Sequence, residues 1–503
     1  MRATSFLLFF WVVNLSVDAQ PIDTVGKRAG YNTIKVEDLR NYVTVLASRE
    51  FFGREVGSEG ANKAASYLTS FFRENGLRDS AKGRTGYQQP FRIIREGATE
   101  GKLEVGGQSF SSPMDIVVRH GELSSKMALK VVFAGFGDDH DFDSLDIKGK
   151  AVLILAKESL TSFGYSTYDK LKANHCPVVF VINLYHPERY AQVRKSSEDE
   201  QAGKRYLLEN RSTSGDTAST KITEIYLSNR AAKAICGIEI SDLLKLAEKS
   251  KAGEPSVLRK LSLGEVSVIA PKKKDRGIGY NIVGIIHGTD KASEVVAITA
   301  HYDHLGGRDS VYFPGADDNA SGVSSIMEIA QAFNAAAIKG FRPRRTIAFI
   351  AFSGEESGLL GSTYFVQHNP LAGCHFVADV NLDMVGRQDS KMDNPNYLYA
   401  TTDQTTKFLY TLADSLSRVD TGIALNLSKG KYMFFFGSDQ YSFYSAGVPS
   451  ILFFRGLHAD YHQPTDTPDK LNYTSMVKIT RLAFDTVWDL SCRNQIPKNV
   501  GAK

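Results

Sequence analysis

Cysteine is scarce in this chain: four residues in 503, the first of them Cys176, and none in a Cys-x-x-Cys spacing. That excludes a disulfide-stapled scaffold and a thiolate zinc ribbon, and it excludes a lipid-bearing cysteine near the amino terminus. Cys176 with Cys236, and Cys374 with Cys492, are open to pairing and equally to remaining free. Blocks of like charge are also missing. Lys plus Arg number 60 and Asp plus Glu 56, all scattered, and the short run Lys272-Lys273-Lys274-Asp275-Arg276 reads as a solvated loop. Nucleic acid is therefore excluded as a partner. Beyond the first 20 or so residues no apolar stretch approaches the ~20 residues needed to span a bilayer, so no stable membrane insertion is expected. Three catalytic signatures are absent. There is no His-Glu-x-x-His for a helix-borne zinc, no Gly-Lys-Ser/Thr after a strand for a phosphate cradle, and no Gly-x-Ser-x-Gly at a strand end for a serine hydrolase.

What is present begins with an address. Arg2, the apolar run Phe6 to Leu15 and the small-residue site Val17-Asp18-Ala19 read as a secretory signal over residues 1–19, so a secreted or periplasmic protein is expected. A chain of this length exceeds one ordinary core. Its 42% hydrophobic and 23% charged content is that of a soluble globular protein. Texture divides the rest. Residues 20–111 form a first part, with helices over Val36 to Ala47 and Gly60 to Gly76. Residues 112–263 turn to short strand-like runs such as Ala151 to Ala156, closed by a charged helix, Ile240 to Lys251. Residues 264–503 alternate strand, loop and helix. His120, His140, His175 and His186 in the middle segment lack acidic partners at ligand spacing and read as surface or satisfied side chains.

The catalytic chemistry gathers in the last part. Strands are expected at Tyr280 to His287, Glu294 to Ala300, Arg345 to Phe352, His375 to Leu382 and Pro449 to Phe454, with helices between them and a final helix near Pro468 to Leu490. The fold class is α/β, a mostly parallel mixed sheet sandwiched by helices, carrying a smaller β-rich insert. In such sheets ligands bind beyond the carboxyl ends of the strands. There the sequence places His301-Tyr302-Asp303, Ser353-Gly354-Glu355-Glu356 and Asn381-Leu382-Asp383. Gly315-Ala316-Asp317-Asp318-Asn319 precedes a helix, and Asp460-Tyr461-His462 follows the last strand. Helix capping accounts for one such carboxylate at a time, but not for two histidines at the same sheet edge. Mixed imidazole and carboxylate ligands suit a borderline divalent metal.

From His301 to Thr467 the chain resembles the co-catalytic two-zinc aminopeptidase family, relatives of glutamate carboxypeptidase II and the transferrin receptor. Leu46 to Gly60 and Tyr87-Gln88-Gln89-Pro90-Phe91 resemble its amino-terminal region. Val131 to Gly137 and Leu145 to Val152 resemble its protease-associated domain. The resemblance implies two Zn(2+) per chain, with His301 and Asp383 on one, Glu356 and His462 on the other, and Asp317 bridging. It implies Asp303 as the group that orients His301, and a cis Asp317-Asp318 bond. It implies Glu355 as the base that takes a proton from water shared by the two ions, in hydrolysis of a terminal peptide bond. Gln440 departs from the histidine of many relatives at a position that binds no metal. A carboxypeptidase, with Arg387 or Arg455 taking the free carboxylate, and a non-catalytic receptor-like protein are the alternatives to an aminopeptidase. A peptide or protein is the expected substrate.

Overall fold

A computed structural model describes residues 24–497 apart from 81–85, 143–144, 157–164, 184–189, 196–204, 210–221, 253, 255–260, 262, 309 and 426–433. The signal segment and His186 lie outside the described residues. Two compact units divide the chain: Met1–Phe91 with Ile278–Lys503, and Arg92–Gly277.

The first unit is built on strands whose apolar runs are buried on both faces. In chain order they are β1 (Lys272–Ile286), β2 (Lys291–His301), β3 (Arg345–Phe352), β4 (His375–Asp383), β5 (Tyr397–Thr401) and β6 (Ser450–Phe454). Their order across the sheet is β5-β6-β4-β2-β3-β1. The four central strands, β6, β4, β2 and β3, are parallel, and β1 and β5 flank them antiparallel. All eight residues of β3 are buried, as is every residue of β2 from Val295 to His301. A parallel strand covered on both sides requires such burial.

Alternation along β2 sorts side chains between two cores. Val296, Ile298 and Ala300 meet the helices α1 (Val36–Leu46), α2 (Glu59–Glu74), α3 (Gly322–Ile338) and α4 (Tyr473–Cys492). Val295 and Ala297 face Phe365 and Phe443 on the opposite side. On the first face Trp488 of α4 stacks on Phe341 and Phe333 and fixes that helix against the sheet. Ser58 and Asn472 cap α2 and α4 by accepting the N–H groups of Ala61 and Ser475. Strands β5 and Ala424–Leu425, at the sheet edge, carried no expectation from the sequence.

Chain order gives this sheet its switch point. From β2 the chain passes to β3 on one side and then to β4 on the other. The crevice therefore opens at the carboxyl end of β2, at His301.

The second unit has eight paired strands, ordered Gln108–Ser111, Lys102–Val105, Glu265–Ala270, Leu123–Phe133, Ala151–Ala156, Val178–Asn183, Thr223–Leu227 and Ile116–His120. Helix Ile240–Lys251 has the expected bounds. The unit is wider than the expected 112–263. Glu265–Ala270 pairs with both Lys102–Val105 and Leu123–Phe133, so the strands at each border belong to this sheet. All four cysteines are free. No helix among the described residues is long and apolar enough to cross a membrane.

Candidate metal centre

His301 ends β2 and is 1% exposed. Its Nδ1–H donates to the carbonyl of Asp303 at 3.1 Å, which leaves Nε2 as the free lone pair. That atom lies 3.4 Å from Asp383 Oδ1, 3.5 Å from Asp318 Oδ1 and 3.9 Å from Glu355 Oε2. The register explains the proximity: Thr299 pairs with Asn381, so the ends of β2 and β4 bring His301 and Asp383 together.

A second group lies on the far side of Asp318. His462 Nε2 stands 3.1 Å from both Asp318 Oδ2 and Glu356 Oε2. His462 has a φ of +56°, a left-handed conformation costly for a side chain and concentrated at functional sites. Tyr461 stacks on its ring. His304 also reaches this group, with Nδ1–H donating to Glu356 Oε1 at 2.7 Å. Asp318 thus has one oxygen toward each group.

This corrects three expectations drawn from the resemblance. Asp317 does not stand between the histidines. It is fully buried with its carboxylate turned away, Oδ1 accepting the Gly386 N–H at 2.7 Å and Oδ2 lying 3.2 Å from His458 Nε2. Asp318 has an extended backbone (φ −102°, ψ 95°) within Ala316–Ser321, so its side chain points away from that of Asp317. The cis bond is Asp318–Asn319, one position later than expected. Asp303 also works differently: its carbonyl, not its carboxylate, orients His301, while Oδ1 accepts the Glu355 N–H at 3.1 Å. Glu355, Glu356, Asp383 and His462 all lie at the cluster.

Electrostatics at this cluster call for cations. Burial works against a charged His301, yet Glu355 and Asp383 outweigh it and push the imidazole pKa well above its ordinary value. His462 rises to about 10, since Asp318 and Glu356 overcome the effect of its burial. Burial would raise Glu356 too, but the hydrogen bonds from His304 and His462 hold it well below the usual carboxylate range. Burial and the neighbouring carboxylates push Glu355 well up, and burial takes Asp303 to about 7. Asp383 Oδ1 is buried with no hydrogen-bond partner. Converging lone pairs on two imidazoles and several carboxylates are the donor set of a divalent metal site, and the residues fit such ions.

The surrounding loops are held by polar anchors that the sequence reading missed. Asp466 accepts the N–H groups of Asp317 and Asp318 at 3.0–3.2 Å. Arg54 is fully buried and donates to the carbonyls of Tyr302 and Gly315. His304 carried a usable signal, being an imidazole three residues past His301. Arg54 and Asp466 carried none, because their partners are distant backbone atoms.

A cavity of about 170 Å³ opens beside the cluster. Its lining combines the polar His301, Asp318, Glu355, Glu356 and Asp383 with Met384, Phe434, Leu452, Phe454, Leu457 and Tyr461. Among the described residues no lysine or arginine lines it. Arg387 is engaged at 2.5 Å by Asp460, and Arg455 is fully buried over the Tyr397 ring. Gln440 is buried, accepting from Asn381 at 2.9 Å and donating to the Phe435 carbonyl at 2.7 Å. It ties β4 to the turn that supplies Phe434.

Fold and site define a class: a helix-covered, mostly parallel α/β domain with a two-centre metal-type cluster at its switch point. Residues 281–487 match the model of peptidase family M28. It is 28% identical over 229 residues to the aminopeptidase YwaD of Bacillus subtilis (strain 168), covering 44% of this chain and 46% of that protein. It is 31% identical over 223 residues to a probable leucine aminopeptidase of Arthroderma otae, covering 42% and 58%. The chain thus spans about half the length of the curated relatives it matches. Among solved structures, an aminopeptidase from Aneurinibacillus sp. strain AM-1 aligns with a TM-score of 0.53 at 18% identity, over 94% of this chain and 98% of that one. BSAP, a zinc aminopeptidase from Bacillus subtilis, aligns at 0.51 and 20% identity, over 93% and 98%. At these identities the likeness is one of fold.

Proposed function

We propose that this protein is an exported zinc-dependent aminopeptidase that removes an amino-terminal residue with a bulky apolar side chain. The observation that supports it best is Asp318, with one oxygen 3.5 Å from His301 and the other 3.1 Å from His462. A carboxylate so placed suits a bridge between two zinc ions, with His301 and Asp383 completing one ligand set and Glu356 and His462 the other. Bound there, zinc would acidify water and neutralise charge on a tetrahedral oxygen.

The chain's own residues divide the remaining work. Glu355 lines the cavity and carries the raised pKa that suits a group taking a proton from water and delivering it to the departing amine. Asp303 fixes the turn from which Glu355 projects, through its bond to the Glu355 N–H. A free α-amine is welcome beside so many carboxylates. Among the described residues a free carboxylate would meet no cation, since Arg387 is engaged and Arg455 is buried, which favours the amino end over the carboxyl end. A cavity of about 150 Å³ lined by Leu, Ile and Phe takes a benzene. The space here, walled by Met384, Phe434, Leu452, Phe454 and Leu457, suits one leucine- or phenylalanine-sized side chain.

The test measures zinc content together with hydrolysis of leucyl, phenylalanyl, glutamyl and amino-blocked leucyl anilides, with and without chelator. We expect zinc, chelator sensitivity and turnover of the free-amine apolar substrates. Equal cleavage of the blocked substrate would sink the amino-end assignment, and release of carboxyl-terminal residues from peptides would replace it. Export rests on the amino-terminal sequence, and cell fractionation with sequencing of the mature amino terminus tests it.

A further inference from the structure

Arg54 lies far from the ligand motifs in sequence and beneath them in space. It is fully buried, yet no carboxylate receives its hydrogen bonds. Nε donates to the Tyr302 carbonyl at 2.6 Å, one Nη to the carbonyls of Leu46 and Pro314, and the other to Gly315 at 2.9 Å. The first of these carbonyls lies between His301 and Asp303. Pro314 and Gly315 lead directly into Asp318. A single planar fork therefore spans the strand end that carries one ligand and the loop that carries the carboxylate between the two groups, with the end of α1 as its third support.

Close backbone approach keeps the fork there. Gly53 has a φ of +74°, and a side-chain carbon on it would lie 2.3 Å from the Gly306 carbonyl oxygen. The Gly306 N–H in turn donates to Gly53 at 3.0 Å. The charge of Arg54 is balanced at a distance by Asp303, Asp318, Asp466 and Glu356. Lysine has three donors on a point charge and cannot reproduce a planar array to carbonyls on three segments.

We propose that Arg54 is a positioning residue: its guanidinium sets the spacing between the strand end bearing His301 and the loop bearing Asp318, and with it the spacing of the two metal centres. The inference rests on the zinc reading above for its functional readout.

Arg54→Gly tests it, because glycine accepts the φ of +51° found at this position. Turnover per folded molecule should fall roughly 10²-fold, the scale of a 1 Å misplacement, with KM for leucyl anilide little changed. The absorption spectrum of the cobalt-substituted variant should shift. Guanidinium at tens of millimolar should restore both, while methylammonium at the same concentration should not. A variant that folds only with guanidinium present would mark a structural staple and overturn the proposal. A merely structural staple predicts a lower Tm with unchanged kcat per folded molecule and an unchanged cobalt spectrum, and that result would overturn the proposal. Rescue by methylammonium as well would overturn the role of the fork. Failure of the zinc reading is distinguishable, since the wild-type protein would then show neither metal nor turnover.

Discussion

The carboxylate of Asp303 accepts the backbone N–H of Glu355 at 3.1 Å, joining the end of the histidine strand to the turn that carries two adjacent glutamates. That bond fixes the turn, from which Glu355 faces His301 and Glu356 faces His304 and His462. Glu355→Gln should keep its zinc and its fold while turnover falls by roughly 10²-fold or more. Glu356→Gln should bind one zinc more weakly, with added zinc restoring part of the rate. Metal analysis with kinetics on both variants checks this, and zinc loss confined to Glu355→Gln would reverse the roles.

The two aspartates of the Ala316–Ser321 segment should separate just as cleanly. Asp318→Asn removes charge from between the two groups, so zinc content and activity should fall while the fold is kept. Asp317→Asn touches only the Gly386 and His458 contacts. It should cost about 1–3 kcal/mol of stability through weakened buried bonding, with zinc retained. Thermal melts beside metal analysis decide it. Zinc lost from Asp317→Asn alone would restore the assignment first drawn from the sequence.

That pair marks the limit of what the sequence reveals. The strands are legible because runs such as Arg345 to Phe352 are apolar throughout and short. The cluster is legible because each ligand type follows the end of an element. Composition does not choose between Asp317 and Asp318: the two carboxylates are chemically identical, and backbone dihedrals one residue apart aim them in opposite directions. Arg54 and Asp466 escape notice for another reason, since they act on backbone groups that no side-chain pattern records. The insert borders were misplaced because Glu265–Ala270 finds its partners more than 130 residues upstream, a pairing with no local signal.

Chelation should lower the melting temperature as well as the rate. Four carboxylates, the buried Asp318 and Asp383 and the half-buried Glu355 and Glu356, line one cavity, and a cation bound among them stabilises the native state alone. At zinc concentrations 100 to 1,000 times Kd the linkage is about 2.7–4.1 kcal/mol. Calorimetry with and without chelator measures it, and coincident melts would argue against tight metal binding.

Glu328 on α3 gives a pH dependence independent of the metal. It is fully buried, accepts the Lys35 N–H at 3.2 Å, and burial pushes its pKa up to about 8. An acid whose native pKa lies above its unfolded value favours the protonated native state. Its contribution is therefore complete below the unfolded pKa and is lost as pH rises through about 8. Glu328→Gln should melt a few degrees above wild type at pH 8–9, and the gap should narrow toward pH 5. A gap that widened on acidification would contradict this.

Four free thiols in a chain read as exported have a practical consequence for the bench. Dithiothreitol finds no covalent crosslink to cut in this protein, so any inactivation it causes reports capture of the metal by the reagent's own sulfurs. Reversal by added zinc, without reoxidation, would then distinguish a stripped centre from a broken scaffold.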